Sequence, residues 1–121
     1  MKYLKFISIL GIVVLTLLPT ISTASDVPEE VKRQLSFGVR AASEDHWDEA
    51  IYRWRKVLQI DANNLMAHNN LAVAYEQLGE YALAMEEYEL AYRLNSENEV
   101  VKNNLERFKE FYRKYQQRQK Q

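Results

Sequence analysis

Residues 65–98 read LMAHNNLAVAYEQLGEYALAMEEYELAYRLNSEN, and this stretch decides the fold because it contains two amphipathic helical patterns separated by a glycine. In each half the apolar residues recur three or four positions apart, which is the period of one face of an α-helix. Gly79 lies between the halves and is typical of the residue that follows a helix end. No stretch of the chain alternates apolar and polar residues for long, so the sequence predicts helices and no strands.

The same pattern occurs earlier in the chain, over residues 31–64, at an offset of 34 residues. Corresponding positions agree in size and polarity more than in identity, as expected for a helical repeat. Small residues occupy three positions in both copies, which predicts that the two helices of each hairpin approach closely there. These pairs are Gly38 and Ala72, Ala50 and Ala84, and Val57 and Ala91.

Two further segments carry the sequence signature of a helix start. The residues 26–29 and 96–99 each place Asp or Ser three positions before Glu, which is the spacing of a capping box. The first predicts a helix that leads into the first repeat, and the second predicts a last helix that begins near Glu99. The apolar residues of that last helix are spaced by four and three, as in a coiled-coil seam. They are Val101, Leu105, Phe108, Tyr112 and Tyr115.

Residues 31–98 resemble two tetratricopeptide repeats. The second repeat matches the family at Leu71, Ala72, Tyr75, Gly79, Ala84, Tyr88 and Ala91, and has Ser96 where the family has proline. The first repeat matches at Phe37, Gly38, Ala50 and Trp54, and departs from the family at Ala41, Asp45, Val57 and Ala62. The resemblance implies an all-α fold. We expect residues 25–98 to contain two repeats, over 31–64 and 65–98. We expect residues 99–121 to form a C-terminal capping helix with a basic tail.

The resemblance also implies a concave face, lined by the first helix of each repeat, that binds a protein or peptide partner. We expect this face to contain Leu35, Val39, Met66, Asn69, Val73, Glu76 and Gln77. Asn69 and Gln77 are expected to bond the backbone of the partner. The alternative is that the last helix or residues 25–30 cover part of the face. A clamp for C-terminal carboxylates, found in some relatives, is not expected because Leu35 and Val39 replace its Lys and Asn.

Residues 1–24 differ in kind from the rest of the chain. A short basic start is followed by an uncharged apolar run over residues 6–18, and Ser22 and Ala24 then provide small residues before a plausible cleavage site. This order predicts a secretory signal peptide that is cleaved after Ala24, and therefore a periplasmic or secreted protein. The alternative is an uncleaved segment that anchors the protein in a membrane through residues 6–18. Membrane contact is expected only in that case.

Composition excludes most enzyme classes for this chain of 121 residues. The absence of cysteine excludes disulfides and thiol catalysis, and the three glycines form no phosphate-binding motif. His46 and His68 are expected to pack or to lie on the surface, since no nucleophile or orienting acid accompanies them by spacing. The glutamates between residues 86 and 89 are expected to form a solvated helix face. We therefore predict no enzyme activity, no cofactor and no metal site.

Charge divides the chain unequally. Residues 25–101 contain seven basic and fifteen acidic residues, a net charge of −8, whereas residues 102–121 contain seven basic and two acidic residues, a net charge of +5. Nucleic-acid binding is not expected, because export argues against it and the basic residues lack an aromatic stacking platform. The basic end is expected to be a solvated helix terminus. The alternative is that it meets the acidic body of a second copy.

The last helix contains more aromatic residues than packing on one repeat requires, so self-association as a homodimer is predicted. The candidate residues are Phe108, Phe111, Tyr112 and Tyr115. The alternative is that they pack against their own repeat as a cap. The sequence thus predicts an exported adaptor or scaffold that binds a protein partner through the concave face and the last helix. The alternative function is a structural protein that assembles only with itself.

Overall fold

The computed structural model describes residues 26–120, which form five α-helices. α1 spans Asp26–Ser43, α2 Trp47–Ile60, α3 Leu65–Gln77, α4 Tyr81–Leu94 and α5 Glu99–Arg118. α1 and α2 form one antiparallel hairpin, α3 and α4 form a second, and α5 packs against α4. The predicted all-α class, with two helical hairpins and one further helix, is confirmed. The predicted signal segment, residues 1–24, lies outside the described residues.

α3 and α5 begin with the same kind of cap, an asparagine side chain that accepts a hydrogen bond from a backbone amide three residues later. Asn64 Oδ1 accepts from Ala67 N at 3.0 Å, and Asn98 Oδ1 accepts from Val101 N at 3.1 Å. The second cap corrects the capping-box prediction, which placed the cap at Ser96. Because asparagine caps a helix as well as serine does, Asn98 starts α5 one full repeat after Asn64.

Each hairpin turns through one residue with a left-handed backbone. Gly79 has a φ of 76° and Asp45 has a φ of 59°. Glycine adopts this conformation without steric cost, and aspartate is among the few other residues that tolerate it. Asp45 therefore preserves the turn although it departs from the family's glycine. The matching hydrogen bonds are His46 N to Ala41 O at 2.9 Å and Glu80 N to Tyr75 O at 2.8 Å.

The small residues predicted at the contacts between paired helices are buried. Ala50, Val57, Ala72, Ala84 and Ala91 have no exposed surface. The closest approach is at Gly38, where an added Cβ would lie 2.3 Å from Nε1 of Trp54 on α2. The Trp54 ring is buried, and its indole N–H donates a hydrogen bond to Leu35 O at 3.4 Å. Glycine is therefore required at this position of α1.

Polar side chains cover both ends of the helical array. Phe37 takes a position whose counterpart in α3 is buried beneath α2, and the guanidinium groups of Arg40 and Arg53 lie 5.1 and 5.4 Å from its ring. On α5, Glu106 and Lys109 are exposed at positions whose counterparts in α3 are buried. Helical repeats need such polar ends because each inner repeat buries its faces against its neighbours. The two ends of the array within residues 26–120 are therefore more polar than its centre.

Candidate functional site

The predicted concave face lies on α1 and α3. Val39 is 55% exposed and Met66 is 51% exposed, and Gln77 is also exposed. Leu35 and Val73 are half-buried because one side of each packs against the core. These five residues provide a largely apolar surface with one neutral polar group.

Two other residues of the predicted face are engaged by α5. Asn69 is only 5% exposed, and its Oδ1 accepts a hydrogen bond from Asn104 Nδ2 at 3.0 Å. The Glu76 carboxylate receives a bidentate pair of bonds from Arg107, from Nη1 to Oε1 at 2.7 Å and from Nη2 to Oε2 at 2.8 Å. The last helix therefore covers this part of the face, and the Asn69 oxygen expected to bond a partner is occupied.

Glu76 connects three helices, because the Tyr88 hydroxyl of α4 also donates to its Oε2 at 2.9 Å. The hydrogen bonds from Arg107 hold the pKa of Glu76 below its ordinary value of 4.5. Burial raises the pKa of Tyr88, and the charge of Glu76 adds to the effect. The Glu76 side chain is 15% exposed and the Arg107 side chain is 54% exposed, so water screens the pair from the Arg107 side. Charge-assisted bidentate bonds are among the stronger polar contacts in proteins, so they fix α5 against α3.

Stability is expected to fall at acid pH through Glu76. The folded-state pKa of Glu76 lies below the ordinary value of 4.5. Its contribution to the free energy of unfolding is therefore complete above the ordinary value, and it is lost as the pH falls through the lower, folded-state pKa. Urea unfolding at a series of pH values should therefore show a steeper acid loss of unfolding free energy for the natural chain than for Glu76→Gln. Glu110→Gln is the control, since Glu110 is exposed on α5 and its ion pairs are screened by water. An identical acid loss in the natural chain and Glu76→Gln would contradict this role.

The aromatic residues of α5 pack within the chain over more of the helix than the sequence predicted. Phe108 has no exposed surface and lies 5.3 Å, centroid to centroid, from Tyr88. Tyr81, the first residue of α4, lies 5.0 Å from Phe111 and 4.8 Å from Tyr115. Tyr81 thus provides a packing surface for the aromatic side chains of α5 as far as Tyr115. Phe108 has no surface available for self-association, whereas Phe111, Tyr115 and also Tyr112 remain half-buried.

The His68 side chain on α3 connects α4 to the turn between α2 and α3. Its Nδ1 lies 2.6 Å from Glu87 Oε2 on α4, and its Nε2 lies 2.9 Å from Ala62 O in the α2–α3 turn. The same repeat positions are linked in the first hairpin, where Arg53 Nη1 donates to Gln34 Oε1 at 3.4 Å. The same pair of repeat positions therefore joins the two helices of each hairpin, through different side chains.

Residues 26–120 contain no group of three histidine or acidic side chains placed to hold a metal ion. None of the helices in the same range is long and apolar enough to cross a membrane.

Sequence reasoning missed the two α5 residues that reach the face, Asn104 and Arg107. Arg107 occupies the repeat position of Val39 and Val73, so continuing the offset of 34 residues into the last helix would have placed it on the face. The tetratricopeptide pattern continues into this helix at Asn104 and Leu105 and fails afterwards. The partner of Arg107, Glu76, lies 31 residues away in the chain. Only the third copy of the repeat register could have indicated this contact.

Comparison with known proteins relates the chain to one domain family and to longer proteins. Residues 37–119 match the family described as "Domain of unknown function (DUF6340)". An uncharacterized protein of Haemophilus influenzae is 39% identical over 66 residues, which are 54% of this chain and 37% of that protein. A protein O-mannosyl-transferase of Caenorhabditis elegans is 24% identical over 86 residues, which are 71% of this chain and 12% of that protein. The chain thus spans well under half the length of either relative.

Proposed function

Since the chain belongs to the DUF6340 family, we propose on the geometry of its helices that it is an exported adaptor of tetratricopeptide type. It binds a protein or peptide partner along the surface of α1 and α3 that comprises Leu35, Val39, Met66, Val73 and Gln77, named here the groove. A peptide or a partner helix fits such a surface, because apolar contacts supply affinity and a polar group fixes register.

The exposure of Val39 and Met66 carries this proposal. Each has more than half of its surface exposed, on a face where Leu35 and Val73 are also partly open. Exposed apolar side chains on the first helices of both hairpins are therefore candidates for an interaction site. The hydrogen bonds from α5 to Asn69 and Glu76 hold α5 in place beside the groove. The protein therefore loses little conformational entropy when a partner binds.

Export is supported by the order of basic, apolar and small residues in the segment 1–24. A C-terminally tagged copy, crosslinked in cells and examined by mass spectrometry, tests the location and the partner together. We expect a mature chain that begins at Ser25 and one dominant foreign protein crosslinked through groove residues. A chain that retains residues 1–24 would contradict cleavage, and crosslinks only between its own copies would contradict the adaptor role.

The groove proposal predicts a large loss of partner binding when charge is placed in it. Val39→Arg combined with Met66→Arg should weaken binding of the crosslinked partner about tenfold or more, as for loss of a central interface contact. Both side chains are exposed, so the helix content measured by circular dichroism should not change. Tyr52→Arg combined with Leu83→Arg is the matched control, because Tyr52 on α2 and Leu83 on α4 are 49% and 42% exposed outside the groove. Equal affinity of the groove variant and the control would refute the groove.

A further inference from the structure

A second surface, apart from the groove, lies at the edge of the array that contains the hairpin turns. An open cavity of about 480 Å³ is lined by Asp45, His46, Trp47, Asp48, Glu49 and Leu78, and is named here the notch. Leu78 is 44% exposed and Trp47 is half-buried, so the floor of the notch is apolar. Three carboxylates and one histidine surround that floor. The notch therefore suits an apolar or aromatic group that is accompanied by positive charge.

The C-terminal end of α5 lies at the same edge and has the complementary character. Tyr115 packs on Tyr81, next to the α3–α4 turn, and residues 116–120 continue beyond this contact with their side chains exposed. This end, named here the arm, comprises residues 115–120 and carries Arg118 and Lys120. It thus combines one half-buried aromatic ring with two cations.

Four charged side chains of the arm and the notch have no ion-pair partner within the described part of the chain, whereas Glu49 of the notch pairs with Arg53 at 2.6 Å. Over residues 26–120, neither Arg118 nor Lys120 forms an ion pair, and neither Asp45 nor Asp48 does. The α3–α4 turn contributes Leu78 to the notch and leads into Tyr81, on which Tyr115 of the arm packs. Opposite charges that lie apart on one edge can be brought together by a second copy of that edge.

We propose that two copies of the chain associate edge to edge, with the arm of each seated in the notch of the other. Because arm and notch share one edge, a single two-fold axis satisfies both contacts at once and leaves no unpaired surface for a third copy. Charge complementarity selects this arrangement and steers the encounter. The contact surface is small, so the association is weak and reversible.

Sedimentation equilibrium of the chain over a wide range of concentration tests the dimer. We expect monomer and dimer in exchange at low salt, and a shift to monomer at about 1 M salt, where charges are screened within about 3 Å. Arg118→Glu combined with Lys120→Glu should weaken dimerisation about tenfold or more. Arg93→Glu combined with Lys32→Glu makes the same change of net charge at exposed positions outside arm and notch, and should leave the dimer unchanged. The groove variant, Val39→Arg combined with Met66→Arg, should also dimerise normally, which separates this inference from the adaptor proposal.

Exchange of the charges between the two surfaces gives the decisive result. Asp48→Lys combined with Glu49→Lys leaves one carboxylate beside two lysines in the notch. This notch variant should weaken dimerisation on its own, as the arm variant does, because each puts like charges at both contacts of the homodimer. A mixture of the notch variant with the arm variant should form a heterodimer, since each of its two contacts again joins opposite charges. A monomer at every concentration, a dimer insensitive to salt, or a mixture that fails to associate would overturn the proposal. Capture of a basic peptide from another protein in the notch, without a dimer, would overturn it as well.

Discussion

Gly38→Leu is expected to destabilise the fold by about 3 kcal/mol or more, since overpacking of a close-packed core costs about 1–3 kcal/mol even for smaller additions. The first added carbon would already lie 2.3 Å from the Trp54 ring, and that ring is buried between α1 and α2. Relief requires either separation of the two helices or loss of the indole hydrogen bond to Leu35. The free energy of unfolding in urea measures the effect directly.

Gly38→Ala and the second hairpin provide the control for this prediction. Alanine adds one carbon beside the Trp54 ring where leucine adds four, and both gain helix propensity over glycine, up to about 1 kcal/mol, so the net loss for alanine should be smaller. The second hairpin has Ala72 and Tyr88 where the first has Gly38 and Trp54. The double variant Gly38→Ala with Trp54→Tyr copies that pair and should recover much of the loss. A Gly38→Leu chain as stable as the natural one would show that α1 and α2 are not in close contact.

Phe108→Ala is expected to cost about 3–5 kcal/mol, because it removes a fully buried aromatic ring and leaves a cavity. The ring lies between α5 and α4, beside Tyr88, and has no exposed surface. Small domains have total stabilities of about 5–15 kcal/mol, so this loss is a large part of the whole. Thermal unfolding followed by circular dichroism should show a much lower midpoint and an earlier loss of α5.

The concentration dependence of that midpoint distinguishes packing within one chain from packing between copies. Removal of a ring buried in its own chain lowers the midpoint by the same amount at every protein concentration. Removal of a ring buried in a dimer contact lowers it by an amount that changes with concentration. Phe111→Ala is the matched control on the same helix, and it should cost less because Phe111 is half-buried. A smaller effect for Phe108 than for Phe111 would contradict the observed packing.

The periodic part of the fold could be predicted from the sequence. The offset of 34 residues fixed where the helices pair, and the small residues such as Gly38 and Ala72 indicated where they touch. These features are local or repeat at one spacing, so a single chain is enough to detect them. The glycine turn at Gly79 was also predictable. The 34-residue offset also placed Asp45 in the matching turn, but its positive φ was not predictable, because aspartate has other common uses.

The contacts of α5 could not be predicted in the same way. Its aromatic residues indicated an apolar seam, but nothing in their spacing specifies whether a helix packs on its own chain or on another. The answer depends on Tyr81, a residue of a different helix that lies beside the seam. The link between Arg107 and Glu76 is of the same kind, since complementary charges far apart in the chain have many alternative partners. The groove remains a prediction from the resemblance to tetratricopeptide repeats. Asn69 and Glu76, which were predicted to belong to it, are bound by α5.

The order of packing along the array has a consequence for how the chain folds. Each helix packs mainly against the helix before it and the helix after it. Such a chain closes only short loops as it folds, and proteins with short-range contacts are generally the faster folders. The first hairpin already contains the complete contact between Gly38 and Trp54, so its pairing does not require the end of the chain. Folding can therefore proceed from the N-terminal hairpin, and α5 can join after both hairpins have formed.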